Sequence, residues 1–102
     1  MGRRISDQVP YQKGAIISRE IARKDAGTVT VFAFDKGQGL SEHTAPFDAI
    51  VFILDGEAKI TIAGRRRTAL KGELIVMPAG KPHSLNAVRR FKMMLIMIKS
   101  GS

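Results

Sequence analysis

The segment from Gly37 to His83 determines the architecture, and it reads GQGLSEHTAPFDAIVFILDGEAKITIAGRRRTALKGELIVMPAGKPH. It contains both histidines of the chain, and each lies at fixed spacings from glycines. The two halves run Gly37-x5-His43-x-Ala45-x3-Ala49-x6-Gly56 and Gly72-x5-Pro78-x-Gly80-x2-His83. Between these fixed points the residues are mostly apolar and β-branched, a composition typical of buried strands.

Strand signals extend over the rest of the chain. Residues 28–34 and 91–99 are rich in β-branched, aromatic and methionine side chains, while residues 57–63 alternate apolar with polar ones. Asp55-Gly56 is the dipeptide most typical of a two-residue hairpin, because both of its positions need positive φ. Gly64 and the arginines after it are predicted as the next turn. Many short strands separated by turn signals predict a sandwich or a closed barrel.

Two of the predicted strands are apolar on both faces. In residues 50–54, Val51 and Ile53 point to one side while their neighbours point to the other, and residues 91–99 repeat this pattern. A single-layer sheet would leave one of these faces in water, which is unfavourable for so much apolar area. We therefore expect one face to line a barrel interior and the other to meet a second sheet or another subunit, as in a homodimer.

Length and composition favour one domain. The chain has 102 residues and no cysteine, so disulfides and thiolate ligands are excluded. We predict an N-terminal arm or loose tail over residues 1–10 and a barrel domain over residues 11–100. The basic start lacks the apolar stretch of a signal peptide, and no segment approaches the roughly 20 apolar residues that span a bilayer. A soluble, cytoplasmic protein without membrane association is the expectation.

The chain is basic, with a formal net charge of +8. Its arginines are grouped at Arg3-Arg4, residues 65–67 and Arg89-Arg90. A basic surface attracts nucleic acid or acidic small molecules. No helix-turn-helix pattern, zinc-finger spacing or basic-aromatic interleaving accompanies these groups. We therefore interpret them as solvated turns and predict no specific nucleic-acid partner.

The glycine frame resembles the two sequence motifs of the cupins, a superfamily of small β-barrels. The family motifs read G-x5-H-x-H-x3-4-E-x6-G and G-x5-P-x-G-x2-H-x3-N. In this chain Ala45 replaces the second histidine, Ala49 the glutamate and Ala87 the final asparagine. The resemblance implies an all-β fold: a single-domain cupin barrel of the double-stranded β-helix or jelly-roll type. Cupins commonly dimerise, which agrees with the two-faced strands.

The resemblance also implies the positions of a metal site. In metal-binding cupins, the three ligands of the first motif and the histidine of the second hold one divalent cation. His43 matches the first ligand and His83 the last, whereas alanines occupy the other two positions. Asp48 is the best candidate for a third ligand and Glu42 the next, although strand alternation places both on the opposite face unless Pro46 shifts the parity. A divalent transition metal (manganese, iron, nickel, copper or zinc) is expected to be weakly held or absent.

The predicted function is small-molecule binding in a mainly apolar cavity, with the two histidines as polar anchors. The residues predicted to line this cavity are His43, Ala45, Ala49, Val51, Ile53 and His83. Two alternatives stay open. One is a metal-dependent oxidoreductase or isomerase that uses the same histidines, and the other is a non-catalytic dimeric accessory module. Fold alone identifies neither ligand nor substrate.

Overall fold

The structure, a computed structural model, describes residues 2–99. Its regular secondary structure consists almost entirely of β-strands. The predicted boundaries at residues 1 and 100 lie outside this range. A single turn of 3-10 helix, Ile5–Gln8, precedes the strands. The strands are β1 (Ile16–Lys24), β2 (Gly27–Phe34), β3 (Gly39–His43), β4 (Phe47–Ile62), β5 (Arg65–Leu70), β6 (Leu74–Met77), β7 (His83–Asn86) and β8 (Phe91–Lys99). The all-β cupin fold expected from the motifs is confirmed.

The long strand β4 connects two antiparallel sheets. Its first half pairs with β8 and β6, and β2 and β1 extend this sheet beyond β8. Its second half pairs with β5 and β7, and β3 lies beyond β7. We call these the five-stranded sheet and the four-stranded sheet. The side chains between the two sheets form the barrel interior.

The sequence prediction of a hairpin at Asp55-Gly56 is wrong. β4 runs through both residues, and β8 stays paired alongside, with Asp55 opposite Lys92 and Gly56 opposite Phe91. A register shift between Ile53 and Asp55 marks a β-bulge, where the strand bends from one sheet into the other. The positive φ that the prediction assigned to Gly56 is nevertheless present, at 71°. The Asp-Gly signal therefore indicated the right backbone conformation in the wrong structural setting.

The hairpin between β4 and β5 instead turns at Ala63 and Gly64. Their φ values of 49° and 81° are both positive, as a two-residue type I′ turn requires. Arg65 already pairs with Ile62 across this turn. The three arginines at 65–67 therefore lie in strand β5 rather than in the predicted turn.

The barrel interior is filled by apolar side chains. Phe34 and Phe91 stack at a centroid distance of 4.6 Å, and Ile60 and Met93 pack in the same cluster. Among the described residues, His83 is the one polar residue that is buried.

The outer face of the five-stranded sheet is partly covered by the chain itself. Val9 is 1% exposed and packs with Val31 and Ala33, and Tyr11 and Met94 border the same cluster. The N-terminal segment is therefore an ordered arm over this face in its described part. The sequence analysis expected a second sheet or another subunit there. No helix within residues 2–99 is long and apolar enough to cross a membrane.

Candidate functional site

The two histidines lie directly opposite each other on neighbouring strands. Pairing of β3 with β7 places His43 across from His83, and a register shift after Leu40 adjusts β3 so that they meet. The two rings are 4.3 Å apart between centroids and are inclined at 72°, an edge-to-face arrangement. The structure thus brings together the two side chains that the motif frame singled out.

Backbone carbonyl groups determine which ring nitrogens are free. Nδ1 of His43 lies 2.7 Å from the carbonyl oxygen of Ser41, and Nδ1 of His83 lies 3.2 Å from that of Lys81. A carbonyl oxygen only accepts, so each Nδ1 carries the proton and donates it. In this tautomer each ring keeps its Nε2 lone pair for another partner. Both Nε2 atoms are acceptors for a ligand hydroxyl or amine, or donors of a lone pair to a metal ion.

The two members of the pair differ in burial. His83 is only 5% exposed, whereas His43 faces solvent. Burial lowers the pKa of His83, because desolvation disfavours the charged imidazolium. The carbonyl of Lys81 acts in the opposite direction, and the neighbouring ring of His43 lowers the pKa further. His83 is therefore neutral at neutral pH.

Asp48, the candidate third ligand, has a different partner. Its Oδ1 accepts a hydrogen bond of 2.9 Å from the backbone nitrogen of Ala79. The backbone nitrogen of Gly80 donates to the carbonyl of Ala45, also at 2.9 Å. These two bonds fasten the loop before β7 to the start of β4. Within residues 2–99, no group of three or more histidine, cysteine, aspartate or glutamate side chains is placed to hold a metal.

The remaining predicted cavity residues divide between the rim and the core. Ala45 is half-buried beside the loop that precedes β7. Ala49 is 4% exposed and lies between Met77 and Met97 on the flanking strands. Val51 and Ile53 are completely buried in the packed interior. Of the predicted cavity residues, His43 and Ala45 are therefore the ones that reach the surface.

The sequence analysis missed two residues that share the histidine face. Ile62 of β4 pairs with His83, and Arg65 of β5 pairs with Ile62. Directly paired residues project from the same side of a sheet, so Arg65, Ile62, His83 and His43 form one row across four strands. The signal was present in the sequence. A two-residue Ala63-Gly64 turn would have placed the residues before and after it opposite each other.

Besides a hollow of about 250 Å³ bordered by Gly27 and Ile96, two hollows on the described surface lie away from this row. One of about 450 Å³ lies under the arm on the outer face and is bordered by Ile5, Arg19 and Met94. The other, of about 650 Å³, lies at the bend of β4 and is bordered by Asp55 and Arg90. Neither hollow is bordered by His43 or His83.

Comparison with known proteins identifies the architecture. The Cupin domain family matches residues 30–99, which include both histidines. A conserved Streptococcus pyogenes protein of unknown function is 37% identical over 100% of this chain and 90% of its own, with a TM-score of 0.95. A cupin superfamily protein from Desulfitobacterium hafniense is 25% identical over 97% of this chain and 91% of its own, with a TM-score of 0.93.

A cupin 2 conserved barrel domain protein from Leptotrichia buccalis is 41% identical over 92% of this chain, with a TM-score of 0.90. The matched region is 46% of that protein's chain. No curated protein matches. The family match spans more than half of the sequence, and the similar structures share the barrel over nearly all of it. The chain therefore belongs to the cupin domain family.

Proposed function

We propose that this cupin domain binds a small molecule at the rim of its barrel, with His43 and His83 as polar anchors. The observation that carries the proposal is the paired geometry of the two rings, 4.3 Å apart with both Nδ1 atoms already engaged by carbonyl groups. Two fixed acceptor nitrogens on one face suit a ligand with a hydroxyl or amine group. Leu40 and Ile62, half-buried against the core, supply the apolar surroundings.

A fragment titration followed by NMR tests this proposal. Small hydroxyl-containing and amine-containing compounds are added while the imidazole Cε1–H signals are recorded. We expect saturable shifts of both histidine signals. His43→Ala should abolish binding, whereas Glu42→Gln, a change in the adjacent exposed side chain, should leave it intact. Saturable binding that maps to the outer-face hollow and persists in His43→Ala would overturn the proposal.

The enzymatic alternative, a metal-dependent oxidoreductase or isomerase, is favoured by one observation. Metal-ligating histidines commonly donate their second ring nitrogen to a carbonyl group, as both histidines do here. The donor set nevertheless falls short, because a catalytic zinc site keeps three protein ligands and Asp48 is engaged by Ala79. Two imidazoles alone should hold a divalent metal weakly.

Restoring the family ligands tests the metal alternative. Ala45→His together with Ala49→Glu should complete a four-ligand site with the two histidines. Without metal, a buried unpaired polar group at position 49 should cost about 1–3 kcal/mol. Manganese, iron(II), nickel or zinc should raise the melting temperature of this variant strongly and that of the parent little. A large rise in the parent, lost in His43→Ala, would make the metal-dependent function the better assignment.

We also propose that the protein is a cytoplasmic homodimer without a specific nucleic-acid partner. Exposed apolar side chains on the outer face, including Leu74 and Val76, support self-association and the accessory-module alternative. The absence of cysteine is compatible with a reducing compartment. Any binding to DNA should be independent of sequence and should weaken steeply between low and physiological salt.

A further inference from the structure

Arg65 occupies the same face as the two histidines and is held there by a short turn. The backbone nitrogen of Ala63 donates to the carbonyl of Pro82 at 2.8 Å, which joins the β4–β5 turn to the residue before His83. Neighbouring strands lie about 4.8 Å apart, so the Cα atoms of Arg65 and His83 are separated by about 10 Å. Ile62 lies between them. An arginine side chain is long and flexible enough to cross this apolar residue from β5 toward the imidazoles.

The charge of Arg65 is available to a ligand. The two ion pairs found within residues 2–99 join Arg23 to Glu20 and Arg89 to Glu57, so neither uses Arg65. Arg65 is exposed, and it lies on the edge strand of the four-stranded sheet. Arg66, its neighbour, pairs with Thr61 and projects from the opposite face. Strand alternation thus places Arg65 and Arg67 on the histidine face and Arg66 on the opposite face.

We propose that Arg65 makes the histidine site selective for small carboxylates that carry a hydroxyl or amine group. This inference rests on the proposed function of the histidine pair. A guanidinium group binds a carboxylate through two parallel hydrogen bonds. The free Nε2 lone pairs of the two imidazoles accept a hydrogen bond from the hydroxyl or amine. Ile62 between the charged and the neutral anchors contacts the few carbon atoms that join the two polar groups of such a ligand.

A different reading of Arg65 is protection of the sheet edge. Charged side chains on edge strands prevent pairing with other chains. Arg67, which pairs with the buried Ile60 on the same face, fits that role as well. Edge protection predicts no ligand preference and no difference between Arg65 and Arg66 in binding. The two readings therefore differ in a measurable way.

Malate and its uncharged analogue malamide are the probes, and binding is followed by the imidazole signals of His43 and His83 at constant ionic strength. We expect malate to bind the parent more tightly than malamide. Arg65→Gln should weaken malate binding by about tenfold or more, because a hydrogen bond to a charged group is lost. Malamide binding should hardly change. Arg65→Lys, which keeps the charge without the planar fork, should be intermediate, and Arg66→Gln should match the parent.

The outcomes separate the two proposals. Equal loss of malate binding in Arg65→Gln and Arg66→Gln, or an equal response to inorganic phosphate in the parent, indicates unspecific attraction by the basic surface and overturns the carboxylate selectivity. Malamide binding that matches malate binding also overturns it while the histidine site stands. If neither compound moves the histidine signals, and the broader titration also fails, the proposed function fails with it.

Discussion

The imidazole of His83 is held neutral by its position. It is 5% exposed, and its cross-strand neighbour on β4 is the apolar Ile62. Its only ring hydrogen bond in the described chain is the one to the Lys81 carbonyl, which fixes the tautomer but does not compensate for the lost hydration of a charge. A neutral ring with a fixed tautomer is a better acceptor than a freely titrating surface histidine.

This environment predicts a pH dependence of stability. The pKa of His83 is lower in the folded protein than the ordinary value of 6.5, so the unfolded chain binds the proton more readily. Stability should be complete above that value and should decrease as the pH falls through it toward the lowered pKa of the folded state. Thermal melts with a chelator between about pH 8 and about pH 5 measure this. His83→Asn should flatten the profile, whereas His43→Asn should keep most of it, because burial is the largest cause of the lowered pKa of His83. Parallel profiles for all three proteins would contradict the prediction.

At the residue scale, the sequence predicted the partners but not their surroundings. The resemblance to the cupin motifs singled out His43 and His83, and these two residues do lie opposite each other on β3 and β7. Alternation also placed Asp48 away from the histidine face, which agrees with its hydrogen bond to Ala79. That bond joins residues 31 positions apart, and no local pattern encodes such a contact. The carbonyl partner of each ring lies two residues earlier in the chain, and the local backbone conformation decides whether that hydrogen bond forms.

At the scale of elements, the bend of β4 joins the barrel to the N-terminal arm. The hydroxyl of Tyr11 donates to Oδ2 of Asp55 at 2.6 Å, and burial with this carboxylate raises the pKa of the phenol. The guanidinium of Arg90 lies 4.5 Å from the centre of the Tyr11 ring. Nζ of Lys92 donates to the carbonyl of Ser6 at 2.7 Å. The bulge that redirects β4 is thus also the attachment point of the arm.

Gly56 is the residue that makes this bend feasible. A Cβ at this position would lie 2.3 Å from the carbonyl oxygen of Arg90, in addition to the cost of φ 71°. Gly72 has φ 87° with nothing within 4 Å of an added Cβ, so Gly72→Ala measures the conformational cost alone, about 1–2 kcal/mol. Gly56→Ala should lose clearly more free energy of unfolding in a denaturant titration, because the backbone of β8 must move as well. Equal losses in the two variants would show that the bend tolerates a side chain.

The approximate limits of β2 and β8 followed from their β-branched and apolar composition, whereas β3, β5 and β7 were not predicted as strands. The fusion of two predicted strands into β4 was not predicted either, because positive φ at Gly56 serves a bulge as well as it serves a hairpin turn. Only the continued pairing of β8 across the bend distinguishes the two, and that pairing is a long-range property. The arginines of β5 were misplaced for a local reason. The true turn lies at Ala63 and Gly64, one residue earlier than predicted, and uses an alanine instead of two typical turn residues.

At the scale of the whole molecule, an apolar row remains on the outer face beyond the arm. Val29, Ile96, Ile50 and Val76 are paired successively across β2, β8, β4 and β6. Val76 is 52% exposed, and Leu74 and Ile98 nearby are 57% and 48% exposed. The two-faced apolar pattern predicted a covered outer surface, and the arm covers only the part around Val31. The sequence could not show which part of this face the arm covers and which part is left for a partner, because both would bury apolar side chains.

A second copy of the chain is the partner that we expect on this row. Light scattering coupled to size exclusion should give a dimer at micromolar concentration. Val76→Lys should weaken it by about tenfold or more, since the contact would bury an unpaired charge. Val88→Lys is a matched control, because Val88 is 56% exposed but lies between β7 and β8, outside the paired row. A parent that is monomeric at this concentration would contradict the dimer. A dimer weakened equally by both substitutions would place the contact elsewhere and leave the outer row without a partner.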